Sequence, residues 1–302
     1  MTILSKTLDF SNLGQVSLRM GDNDAQHRWG GQLHHGVTGN PVRQLQAALV
    51  AVGTLNATDG AFGHDTETAL KRFQWYGDHM DYRLKLAPGT VPASGMIVPY
   101  SMSATGVRGV CGQALAAELI AWRGGNFVTT TPLVRLNVAG LSNVEPSDTF
   151  TTLSYPSAQN NEILVHGDFA EVVSSTMDDE AKRAKVILDI NQAFRVAGIQ
   201  PSGAVVPPAK KSQHLVGHAV DLNIVDGETT NTAAMFKNGT ETDAADTFIE
   251  AVKKSMRWGG DFSPADPVHF DDYLDPTGED YGMNYFFAQH CFHAMHPMRL
   301  VT

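Results

Sequence analysis

The sequence predicts an α+β protein: a small all-α module over residues 1–124, then an α+β domain with a short antiparallel sheet over 161–302, joined by a linker or the start of that domain at 125–160. Three observations predict it. Apolar residues recur at three- and four-residue steps from Val42 to Trp122; they alternate along Ala219 to Val225; and the chain between turns rich in Thr, Asn, Ser and Pro. At 302 residues the chain exceeds what one small core needs, so two compact units are the starting expectation.

The first helix is predicted over Pro41 to Val52, where Val42, Leu45, Leu49 and Val52 form one stripe and Gly53 ends it. Asp65 is placed to cap a second helix that turns Ala69, Leu70 and Phe73 inward, and Asp59-Gly60-Ala61-Phe62-Gly63 forms the tight loop between the two. A looser echo of that loop follows at Ser94 to Val98, then a helix carrying Ala114, Leu115, Leu119 and Trp122. Phe127 to Val138 alternates as strands do. Further on, Asp178 to Ala197 reads as a helix, with acids at its positive end, Ile187, Ile190 and Phe194 as its buried stripe, and Gly198 as its stop. A helix from Thr242 to Met256 buries Phe248, Ile249 and Val252, and Trp258 to Phe262 reads as a strand, with Trp258 as core or cleft wall. The segment around Phe286, Phe287 and Phe292 reads as a packed terminal helix, which makes His290, His293 and His296 structural.

Composition narrows the function. A formal charge of -10 without a basic run excludes nucleic acid as a partner, since phosphate binding rests on clustered Lys and Arg. Cys111 and Cys291 lie too far apart to form a paired metal motif and read as free thiols. No apolar run approaches the roughly 18 residues of a membrane span, so no membrane partner is expected. Met1 to Met20 lacks the charged start, apolar core and small-residue cleavage site of a signal peptide.

Chemistry concentrates in two short segments. In Ser212-Gln213-His214-Leu215-Val216-Gly217-His218-Ala219-Val220-Asp221, alternation puts Ala219, Asp221 and Asn223 on one face of a strand and Val220, Leu222 and Ile224 on the core face. Asp221 and His214 can then ligate one ion across a Gly-containing turn, and Asp266-Pro267-Val268-His269-Phe270 brings a third ligand with an acid three residues ahead of it. Catalytic zinc typically takes three ligands of these types and leaves one position for water, which makes His214, Asp221 and His269 the candidate zinc ligands. Asp266 is the candidate general base that passes a proton from water to the leaving amine. His218 lies four residues after His214, but Gly217 and the strand that follows oppose a helix, so His218 reads as a supporting or surface residue.

Ser-x-His-x-x-Gly-x-Ala-x-Asp followed by Asp-x-x-His-Phe resembles the LAS-type zinc peptidases. These include zinc D-alanyl-D-alanine carboxypeptidases, vancomycin-resistance D,D-dipeptidases and phage L-alanyl-D-glutamate endolysins. Five fixed residues at these spacings arise by chance in roughly one chain in 10⁴. The resemblance implies Zn2+ as cofactor, His214, Asp221 and His269 as its ligands and Asp266 as base. Members usually carry an arginine shortly before the Ser-x-His motif, whereas this chain has Ser202-Gly203-Ala204-Val205-Val206-Pro207-Pro208; Lys210 or Lys211 is the cation left to substitute. Ser212 and Lys211 are accordingly the candidate substrate-binding residues. Upstream, Val42 to Gln46, Asp59 to Gly63 and Thr66, Ala69, Leu70, Phe73 and Gln74 resemble the three-helix peptidoglycan-binding domain of wall hydrolases, with an insert from Trp75 to Pro92.

Together these resemblances imply a zinc-dependent peptidoglycan hydrolase that cuts an amide bond of the stem peptide, as an endopeptidase of L-Ala–D-Glu or D,D type. The alternative is a non-catalytic wall-binding protein that keeps the zinc fold. Without a signal peptide, action on the wall implies delivery by a holin, as for a phage lysis enzyme, or by a secretion system, as for an antibacterial effector with an immunity protein as a further partner.

Overall fold

A computed structural model describes residues 13–33, 39–102, 106–147, 150, 161–199, 204, 206–207 and 209–302. Most of the Ser202–Pro208 segment and residues 1–12, on which the signal-peptide reading partly rests, lie outside the described residues. The chain divides into two units, Met1–Thr130 and Thr131–Thr302.

In the first unit a small hairpin, β1 (Arg28–Trp29) and β2 (Gln32–Leu33), precedes α1 (Pro41–Ala51) and α2 (His64–His79). The predicted stripes are the core: Val42, Leu45, Leu49, Leu70 and Phe73 are all fully buried. Asp24 satisfies the start of α1 from outside the helix, accepting from Val42 N at 3.1 Å and Arg43 N at 2.8 Å. Asp65 is not a cap; α2 starts at His64 after Gly63, and Asp65 lies in its first turn, where a carboxylate still favours the helix dipole. Gln46 organises the loop between the helices, accepting from Asp59 N and Gly60 N and donating to Asp59, Ala61 and Thr66. The module is not purely helical. The insert contributes β3 (Tyr82–Lys85) and the segment expected as a loop echo contributes β4 (Met96–Pro99), which form an antiparallel sheet with β5 (Phe127–Val128) beyond α3 (Gln113–Gly124).

The second unit opens with β6 (Leu133–Asn137), β7 (Val144–Pro146) and β8 (Glu162–His166). A helical stretch follows, with α4 (Gly167–Glu171), a π-turn over Val172–Met177 and α5 (Asp178–Ala184). The expected helix to Ala197 is corrected here. It ends at Ala184 with Lys185 in the left-handed region, and Ile187–Gln192 is a strand, β9. Leu188 and Ile190 alternate into the core there, while Ile187, expected in the buried stripe, is exposed; period-two alternation in a strand paired on both edges replaces the helical spacing.

The remaining elements are β10 (Ala219–Asp226), β11 (Thr229–Asn231), α6 (Ala233–Asn238), α7 (Asp243–Val252), β12 (Arg257–Trp258), β13 (His269–Asp271), α8 (Glu279–His293) and β14 (Arg299–Val301). The main sheet runs β12-β13-β10-β9-β7, with β11 added on β10. Its pairings are antiparallel except β7 with β9. A second sheet runs β14-β6-β8. Of the expected 258–262 strand only Trp258 pairs, with Arg257 before it, because Gly259–Asp261 turns away as a 3-10 helix. One face of the main sheet carries Val220, Leu222, Ile224, Leu188, Ile190 and Phe270 into a core shared with Phe248, Ile249 and Val252 of α7. The other face of β10 is thereby left for chemistry.

Candidate metal centre and cleft

The register of β10 against β13 sets Asp221 directly opposite His269. A one-residue slip would turn both into the core. His214 reaches the same point from the turn before β10, whose backbone is held by Ser212 as cap and by Arg195 N donating to His214 O at 2.9 Å. Asp221 Oδ1 stands 3.0 Å from His214 Nε2 and 3.1 Å from His269 Nδ1, and the two nitrogens are 3.2 Å apart.

Each imidazole is oriented from behind. His214 Nδ1 lies 2.7 Å from Ala193 O; a carbonyl only accepts, so Nδ1 carries the proton and Nε2 presents a lone pair. His269 Nε2 lies 3.1 Å from Asp271 Oδ2, which leaves Nδ1 as its inward lone pair. With both rings neutral, three electron-pair donors converge on one point. Tetrahedral ligands at about 2.0–2.1 Å from zinc stand roughly 3.3 Å apart, so the donor types and spacing fit that ion. Among the described residues this is the group of His, Cys, Asp and Glu able to hold a metal ion. Electrostatics agree. Burial disfavours a charged ring at His269, but hydrogen bonds to Asp221 and Asp271 outweigh it and lift the pKa to about 9. Burial also opposes ionisation of Asp221, yet the two histidines hold its pKa far below the ordinary value. The point attracts positive charge.

The group opens on a cleft of about 940 Å³ lined by Asp266, Ser212, Lys211, Arg195 and Arg257, among others. Asp266 is half-buried, and its Oδ1 is buried without a hydrogen-bond partner. Burial and the Asp221 carboxylate raise its pKa, against the pull of His269 and His214. Its backbone is pinned by Asp266 N donating to Gly259 O at 2.7 Å and His269 N donating to Asp266 O at 3.0 Å. Trp258 braces the same loop through Nε1 donating to Pro267 O at 2.8 Å, and its ring packs against the core.

The predicted residues His214, Asp221, His269, Asp266, Ser212 and Lys211 thus all border one cleft. Sequence reasoning missed three others. Arg195, upstream of the segment inspected for a cation, is buried in the cleft wall and donates from Nη1 to Gln192 Oε1 at 3.2 Å. Asp271 and Arg257 were missed too, although Asp271 follows His269 by two positions on a strand and so shares its face. His218 stands apart from the ligand group, with Nδ1 2.7 Å from Asp272 Oδ2 and its ring against His166. His290 and His293 end α8, where His290 stacks on Phe286; His296 is buried just beyond.

The first unit has its own polar cleft of about 600 Å³, lined by Gln46, Asn56, Asp59, His64, Thr66 and Arg72 among others. No helix among the described residues is long and apolar enough to cross a membrane.

Comparison with known families meets both regions. Residues 207–272 match the family described as D-alanyl-D-alanine carboxypeptidase, of the M15 peptidases, and residues 38–77 match the putative peptidoglycan binding domain. No curated protein matches the chain. The two matches support a peptidase that acts on peptidoglycan, and the chain carries, in that order, a segment similar to wall-binding modules and a segment similar to LAS-type zinc peptidases.

Proposed function

We propose that the protein is a zinc-dependent peptidoglycan hydrolase that cuts an amide bond within the stem peptide as an endopeptidase of L-Ala–D-Glu or D,D type. The observation that carries this reading is the convergence of His214 Nε2, Asp221 Oδ1 and His269 Nδ1 at 3.0–3.2 Å beside a partnerless buried carboxylate oxygen. These three residues would hold zinc. Bound there, zinc supplies Lewis acidity, lowering the pKa of water to about 7 and polarising a carbonyl.

The remaining work falls to this chain's own groups. Asp266 takes the water's proton on Oδ1 and returns it to the nitrogen of the departing amine, a task suited to a carboxylate whose proton affinity is raised. Arg195 offers a guanidinium to the developing oxyanion or to a substrate carboxylate, with a planar fork that a lysine lacks. Ser212 and Lys211 line the wall along which the peptide lies. The first unit anchors the enzyme to the polymer, raising its local concentration at the bonds it cuts. Delivery by a holin or a secretion system, with an immunity protein in the second case, completes the reading.

The absence of an arginine from Ser202–Pro208 favours the non-catalytic alternative, and Arg195 in the cleft wall argues against it. Mass spectrometry of peptidoglycan fragments after incubation with zinc-loaded protein, beside a chelated control, tests the proposal. New stem-peptide termini that vanish with chelator are expected and name the bond. Intact muropeptides under both conditions favour the binding-protein reading.

A further inference from the structure

The reaction sketched above leaves one cation of the cleft without a task. Arg257 on β12 stands directly across from Asp271 on β13. Its Nε donates to Asp271 Oδ1 at 2.7 Å and its Nη2 to Oδ2 at 2.9 Å, a bidentate fork. Phe262 and Tyr273 flank the guanidinium, their ring centroids 5.5 and 5.7 Å from its central carbon.

Asp271 is wholly buried, and its oxygens are fully engaged: Oδ1 also accepts from Tyr273 N at 3.0 Å, and Oδ2 from His269 Nε2 at 3.1 Å. A buried carboxylate keeps its charge only when paired and hydrogen-bonded. Without the fork, Asp271 would be free to rotate, and the contact that fixes the ring of His269 would go with it.

We propose that Arg257 is a positioning residue for the metal centre: by locking Asp271 it fixes the tautomer and ring angle of His269, and so sets how tightly His214, Asp221 and His269 hold zinc. The inference rests on the zinc reading above. Partners behind a ligating histidine typically change metal affinity by 10–100-fold when removed. A lysine at 257 keeps the charge but loses the fork, and only part of the affinity.

The test is zinc affinity of the full-length protein, measured by competition with a chelator, for wild type, Arg257→Met, Arg257→Lys, Asp271→Asn and the Arg257→Met/Asp271→Asn double variant. Arg257→Met and Asp271→Asn should each weaken zinc by roughly 10–100-fold, with Arg257→Lys between Arg257→Met and wild type. Because Arg257 acts through Asp271, the double variant should bind no more weakly than the weaker single variant. Wild-type affinity in Arg257→Met, or losses that multiply in the double variant, overturns the proposal. Should Arg257→Met not fold, Asp271→Asn and Arg257→Lys decide it, and wild-type affinity in both overturns it. A wild-type protein that binds zinc but cuts no peptidoglycan defeats the hydrolase reading and leaves this one standing; one that takes up no zinc defeats both.

Discussion

The second unit holds two histidine pairs built from similar parts to opposite ends. His214 and His269 have ring centroids 5.0 Å apart; His166 and His218 are closer still, at 4.2 Å. In the first pair the inward nitrogens are lone pairs aimed, with Asp221 Oδ1, at one point on the cleft. In the second the rings lie tilted against each other at 31°, and their polar atoms diverge: Asp168 N donates to His166 Nδ1, His166 Nε2 faces Asn284 Oδ1, and His218 Nδ1 faces Asp272. Carboxylates lift His269, whereas burial, reinforced by His218, holds His166 well below the ordinary value. Convergence of lone pairs beside negative charge makes a cation site; proximity of histidines does not.

The largest effect should come from the proposed base, which stands beside the first pair without belonging to it. Asp266→Ala should keep zinc and lose turnover by about 10²–10⁴, the usual contribution of general acid–base catalysis. Parallel zinc titration and muropeptide release measure both. Wild-type turnover would sink the assigned base, and lost zinc would move Asp266 into the ligand set. His218→Ala is the counterpart in the second pair and should leave zinc in place.

Each pair also rests against a glycine, which gives a sharper contrast. A Cβ on Gly259 would lie 2.2 Å from Asp266 O and 2.9 Å from His269 Cβ; one on Gly217, at φ +78°, would lie 2.6 Å from His166 N. Alanine at either site should cost about 1–3 kcal/mol of stability, the usual range for overpacking. Gly259→Ala should in addition weaken zinc, because it displaces His269 and Asp266 together, whereas Gly217→Ala presses on His166. Urea midpoints beside zinc competition separate the two. Equal zinc affinity in both variants would deny that Gly259 matters to the site.

Much of this centre is legible without coordinates because its geometry is local. Period-two alternation along β10 assigns Asp221 to the cleft face, and only a fold that sends Val220, Leu222 and Ile224 to the core satisfies it. What stayed hidden depends on partners distant in sequence. Ile187, Ile190 and Phe194 match a helical stripe while Leu188 and Ile190 match a strand, and the pairing of β9 with β10 and β7 decides between them. Arg195 enters the cleft only because the chain after β9 turns back beside His214. Asp271 could have been found from His-x-Asp on a strand; Arg257 could not, since nothing local shows that β12 pairs with β13. In the first unit the helices were readable from their stripes, while the sheet of β3, β4 and β5 joins short segments separated by α3.

The smallest expected effect tests the second pair directly. In the unfolded chain His166 titrates near the ordinary value of about 6.5, whereas in the fold it resists protonation. Below pH 6.5 the unfolded chain therefore takes up the proton first. The stability this residue contributes is fully present above that pH and drains as pH falls towards the folded value, at no more than about 1.4 kcal/mol per pH unit for one proton. The groups facing the ring, His218, Asp168 and Asn284, offer no ready escape, since Asp168 Oδ2 stands 3.8 Å from Nδ1 and is largely exposed. Urea midpoints of the wild type should fall between pH 6.5 and 5 more steeply than those of His166→Gln, which has no proton to gain. Equal slopes would mean that the second pair accepts a proton as readily as the first attracts a cation, and the contrast between them would be one of geometry alone.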